Sequence, residues 1–119
     1  MGFLDWLGRR RARAFDFATV DSVPMAEALA AEGQLVPLHL VPLRFGGQDM
    51  PMNRVFVPAS VVERKEHHDE TIEGLVRDHR ADGYSCTPEY RDKSVIPFRL
   101  DGMATEEGIP VYSWSIDVW

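Results

Sequence analysis

Hydrophobic positions change their period several times along this chain, and each change marks an element. In "DSVPMAEALAAEG" Asp21 or Ser22 can cap free amide donors, Pro24 is tolerated in a first helical turn, and Gly33 can close the helix in the left-handed conformation. Met25, Ala28 and Leu29 form the expected buried stripe. "LVPLHLVPL" has strand composition, but Pro37 and Pro42 lack a ladder donor, which makes this strand short or places it at an edge. A second strand is expected from Arg54 to Val57, ended by Pro58. From residue 59 to about residue 82, Val61, Val62, Ile72, Leu75 and Val76 recur at three- and four-residue steps, with Gly83 placed to end the longest helix. Three strand candidates follow: "GYSCTPEY", "SVIPFRL" and "VYSWSIDVW". The last alternates strictly, with Tyr112, Trp114, Ile116 and Val118 on one face. "DGMATEEGIP" is expected to link the final pair as a loop or a loose extension of the strands.

This order predicts an α+β domain, a mainly antiparallel sheet of about five strands with two or three helices packed on it. A chain of 119 residues fits one domain with one core. The domain is expected over residues 15–119, preceded by an amphipathic basic segment over residues 1–14. In that segment Phe3, Leu4 and Leu7 share one side of two helical turns, followed by Arg9, Arg10, Arg11 and Arg13. Docking of Phe3, Trp6 and Leu7 on the domain or on a sister subunit, giving a homo-oligomer, is preferred to a membrane-surface foot because the apolar face is short. No apolar run approaches the roughly 20 residues that span a bilayer, and no secretory pattern is visible, so a cytoplasmic protein is expected. The one cysteine, Cys86, cannot form an internal disulfide and reads as a small hydrophobe in a strand.

Charge changes the picture of partners. Residues 1–14 carry a local +3, which leaves −9 on the remainder of a chain whose net charge is −6. An acidic body repels phosphate backbones, which argues against nucleic acid and favours a basic protein partner. The long helix carries Glu63, Glu66, Asp69, Glu70 and Glu73, the expected binding residues, on what should be a solvated face with Arg64 and Lys65 interspersed. His68 and His79 are expected at the boundary of its apolar stripe.

In "HLVPLRFGGQDMPMN", His39 precedes Pro42 by three residues, Gly46 and Gly47 by seven and eight, and Asn53 by fourteen. With the strand, loop, strand and helix order, this resembles the first half of the ββα-metal motif of HNH nucleases. The resemblance covers about thirty residues and implies His39 as general base and Asn53 as the residue that orients it. The positions at which that family binds its metal are here Leu38 and Val62, which have no donor atoms. His67 and His68 lie five or six residues past the second position, roughly 7.5 to 9 Å along a helix. Gly46, Gly47 and Asn53 therefore read as a structural turn, with no metal and no cofactor expected.

Other catalytic patterns are missing: no GxSxG elbow, no HExxH and no P-loop occurs. A broader likeness, from "LVPLHLVPLRFGGQDMPMNRVFVP" through "TPEY" and "SVIPF" to the terminal Trp119, is to small bacterial proteins found near polymorphic toxin genes. That resemblance implies an immunity factor, for which a basic toxin domain would be the partner. The expectation is thus a non-catalytic protein-binding domain; the alternative is an HNH-like nuclease or a degenerate descendant of one, with His39 and Asn53 as its catalytic pair.

Overall fold

The structure is a computed structural model and describes residues 16–119. The amphipathic segment expected over residues 1–14, and with it the docking of Phe3, Trp6 and Leu7, lies outside the described residues. Two α-helices and five strands form an α+β fold: α1 Val23–Ala31, β1 Val36–His39, β2 Arg54–Val57, α2 Ala59–Arg77, β3 Gly83–Glu89, β4 Arg99–Glu106 and β5 Ile109–Asp117. The strands are all antiparallel, but they divide into a β1–β2 hairpin and a β3–β4–β5 meander. Among the described residues no helix is long and apolar enough to cross a membrane.

α1 starts and stops for local reasons, and α2 stops for one. Ser22 caps α1 by accepting from the Met25 amide, and Pro24 occupies the first turn, where its missing N–H is no loss. At the far end the amides of Gly33 and Gln34 fold back on the carbonyls of Ala30 and Leu29, a Schellman motif, with Gly33 at φ 81°. α2 ends in the same motif: His79 and Arg80 donate to Val76 and Leu75. Here the left-handed position is taken by His79 at φ 58°. The helix thus stops at Arg77, and Gly83, expected to terminate it, instead begins β3.

α1 is rotated about one residue from its expected phase. Ala26, not Met25 or Ala28, is the buried position, with Leu29 and Ala30 half-buried beside it. They face a small core of Val20, Leu35 and Ile96, and a methyl side chain at Ala26 lets the helix approach those larger groups. The "SVIPF" stretch is irregular up to Arg99, where β4 begins. Pro97 cannot donate to a ladder, and Ser94 satisfies the backbone instead, accepting from the Ile96 amide and donating to the Phe17 carbonyl. Arg99–Glu106 then forms β4, so most of the expected linker is strand and the turn narrows to Glu107 and Gly108.

The main core lies between α2 and the two sheets. Val55 and Val57 from the hairpin, Val61 and Ile72 from α2, and Cys86, Leu100, Ala104, Trp114 and Ile116 from the meander meet there. The alternation expected in β5 is present, with Trp114 and Ile116 buried. Strand register places Cys86, Gly102 and Trp114 abreast, and the neighbouring row of Thr87, Asp101 and Ser115 points away from the helix.

Candidate functional site

The loop between β1 and β2 is held by one side chain. Asn53 accepts from the Val41 amide at 2.8 Å and donates to the carbonyls of Val41 at 2.9 Å and Gln48 at 2.8 Å. Gly46 ends a 3-10 turn over Leu43–Phe45 at φ 94°. Gly47 matters for a different reason: a Cβ there would run into the Val41 carbonyl. Gly46, Gly47 and Asn53 thus each contribute to the geometry of this loop.

His39 ends β1 half-exposed, its Nε2 at 2.9 Å from the Asp49 carboxylate. That hydrogen bond, with the charge of His39 and of Arg54 behind it, holds the Asp49 carboxyl below its ordinary value. The Asn53 side chain makes no hydrogen bond to His39 among the described residues. Its side-chain bonds run to backbone, and the residue hydrogen-bonded to His39 is Asp49, exposed on the same loop.

Beneath the loop, a cleft of about 220 Å³ separates the hairpin from α2 and is lined by His39, Arg44, Lys65, Glu66 and Asp69. Its carboxylates already have cations. Arg44 reaches Glu66 at 2.8 Å and Glu73 at 2.9 Å. Lys65 Nζ lies 2.7 Å from Asp69, and the Tyr84 hydroxyl donates to the second Asp69 oxygen at 2.6 Å while accepting from Lys65 at 3.0 Å. Burial and the bond to Asp69 push the Tyr84 hydroxyl far above its ordinary value, so it remains a donor. Among the described residues no group of three or more His, Cys, Asp or Glu is arranged to hold a metal ion. Leu38 and Val62 pack against the core.

The acidic helix face is therefore divided. Glu63, Glu66, Glu70 and Glu73, at steps of three, four and three, lie along one outward stripe. Glu66 and Glu73 share Arg44, while Glu63 and Glu70 are exposed and have no ion-pair partner among the described residues. Asp69 does not belong to this surface: it is buried and turned to the core with Lys65, and it cannot serve as a contact residue. Residues 61, 65, 69 and 72 form the core-facing stripe, in which Lys65 and Asp69 share the helical phase of Val61 and Ile72.

The histidines separate as well. His67 is exposed, whereas His68 turns onto the meander, stacked on Trp114 with ring centroids 5.1 Å apart and hydrogen-bonded to the Tyr112 hydroxyl at 2.8 Å. The Cys86 thiol is buried in β3, and burial pushes it up to about 12, away from nucleophilic chemistry. Comparison with protein-family models, with curated proteins and with solved structures yields no match for this chain.

Proposed function

We propose that this chain is a non-catalytic protein-binding domain, acting as an immunity-type inhibitor whose partner is a basic toxin domain. The observation that carries this reading is the exposed pair Glu63 and Glu70 on α2, without an ion-pair partner among the described residues, on a body with a charge of −9. Glu66 and Glu73 extend the stripe, and their tie to Arg44 fixes its geometry. Such a surface accelerates encounter with a cationic partner, and the effect weakens with salt. The internal pairing of Lys65, Asp69 and Tyr84 supports a structural role for the residues that line the cleft.

Co-expression with the product of the neighbouring gene, followed by pull-down and growth rescue, tests this reading. Rescue and a complex are expected, with the association rate lowered by Glu63→Lys combined with Glu70→Lys in a folded protein. No complex and no rescue would overturn it. A second reading, an HNH-like nuclease or its descendant, is favoured by the position of His39 at the end of β1 in a strand–loop–strand–helix unit. Cleavage of plasmid DNA or RNA with magnesium, manganese or zinc, abolished by His39→Ala, would establish it over the first.

A further inference from the structure

A concavity of about 410 Å³, formed by other elements than the acidic stripe, lies between α1, β2 and the irregular stretch that joins β3 to β4. Val55 and Val57 enter the main core, and the alternation of a strand then sends Arg54 and Phe56 to the other face of β2. Phe56 packs there on the small core of Val20, Ala26, Leu35 and Ile96, and with Val23 and Val95 it gives the concavity an apolar body. Small-ligand pockets measure roughly 300–1,000 Å³ and combine an apolar lining with a few polar groups. The polar groups here are left unused by the fold. Glu27 and the Tyr90 hydroxyl line the space, and neither has an ion-pair or side-chain hydrogen-bond partner among the described residues. Arg54 lies 3.8 Å from the Asp49 carboxylate, beyond hydrogen-bond length, and Asp49 is itself bonded to His39 at 2.9 Å. Burial lifts the Tyr90 hydroxyl above its ordinary value, which keeps it a donor.

We propose that this concavity binds a free α-amino acid with an apolar side chain. Such a molecule carries an ammonium and a carboxylate on one carbon with an apolar group beside them, the complement of Glu27, Arg54 and the Phe56–Val95 floor. The guanidinium fork of Arg54 suits a carboxylate, the acceptor-only Glu27 suits an ammonium, and the Tyr90 hydroxyl adds a donor. Other small ligands match less of the site. A simple carboxylic acid would set an anion before Glu27, and a simple amine would set a cation before Arg54. A neutral apolar molecule would take both charges from water and give neither a partner. A peptide terminus carries one of the two charges, whereas the free amino acid carries both.

The test titrates the isotope-enriched full chain with L-phenylalanine and with L-leucine and follows backbone amide shifts. Shifts are expected at Phe56, Tyr90 and Val95, with Ser85 and Ser113 on the outer sheet face unmoved. N-acetyl-L-phenylalanine lacks the cation and L-phenylalanine amide lacks the anion. Each should bind about tenfold more weakly than the parent, the scale of one charged hydrogen bond. Glu27→Gln should abolish the preference over the N-acetyl form and keep that over the amide, and Arg54→Gln should do the reverse. A general loss of folding or affinity cannot produce that crossed pattern. No shifts up to the solubility limit of either amino acid, or shifts spread over the whole chain, would overturn the proposal. So would a blocked form that binds as tightly as the parent, or preferences that survive both substitutions.

Discussion

The ammonium of Lys65 lies 2.7 Å from the carboxylate of Asp69 one helical turn on, and the two side chains are 1% and 3% exposed. An ion pair removed from water in this way is held by what surrounds it. Tyr84 supplies that completion, bonded to both partners and closing a three-membered ring of hydrogen bonds. Such a network fixes how α2 sits on the meander, because Tyr84 reaches it from β3.

Lys65→Met should destabilise the fold by about 3–5 kcal/mol, since it leaves a buried carboxylate without its cation. Combining it with Asp69→Leu should recover most of that loss, because two apolar groups need no compensation. Urea unfolding of the single and double variants measures both. Equal loss in the single and double variants would mean that packing, not charge, holds the site.

Asn53→Asp keeps the acceptor for the Val41 amide but sets an anion against the carbonyls of Val41 and Gln48. The expected loss is about 1–3 kcal/mol, as for a broken, partly buried hydrogen-bond set. Amide exchange at Val41 should accelerate with it. An unchanged exchange rate there would show that the loop is held by its glycine turn alone.

These two sites differ in how far the sequence revealed them. Asn53 follows Gly46 and Gly47 at loop distance, and a side chain that bonds its own loop is a local event, legible from composition. Lys65 and Asp69 sit four apart on a helix, where charges are ordinarily solvated. What turns them inward is Tyr84, fifteen residues past Asp69 and on another element. Arg44 likewise reaches Glu66 and Glu73 across 22 and 29 residues. The alternation of β5 was readable because period alone sets its faces, whereas the phase of α1 was not. Met25 outranks Ala26 in hydrophobicity, and only the proximity of Val20, Leu35 and Ile96 makes the smaller residue the better fit.

His79 closes α2 at a φ of 58°, where a side chain with a Cβ costs about 1–2 kcal/mol. Because His79 is exposed, His79→Gly should raise stability by about 1 kcal/mol, partly offset by the greater freedom of glycine in the unfolded chain. A thermal midpoint that falls would indicate that the imidazole makes a stabilising contact.

Cys86 should resist thiol reagents in the native protein at mildly alkaline pH, because burial pushes its thiol up to about 12 and little thiolate forms. Labelling should appear only in denaturant. Rapid native labelling would show that β3 opens from the meander far more readily than its packing implies.

Two effects oppose each other at His68. Burial lowers its affinity for a proton below the ordinary value of 6.5, helped by the charges of His67 and Arg64, while Asp69 opposes the shift. Its ring also lies nearly parallel to the Trp114 indole, at 8°, and an imidazolium there would gain a cation–π attraction that favours the charged form. If burial dominates, the folded protein binds this proton less readily than the unfolded chain. Stability should then fall as pH drops through 6.5 and level off below the folded value. His68→Gln should flatten the stability profile between about pH 5 and 7. An imidazole resonance titrating below 6.5 would confirm that desolvation wins. A midpoint above it would mean that Trp114 and Asp69 outweigh burial, and the stability profile would slope the other way, with stability lost as pH rises.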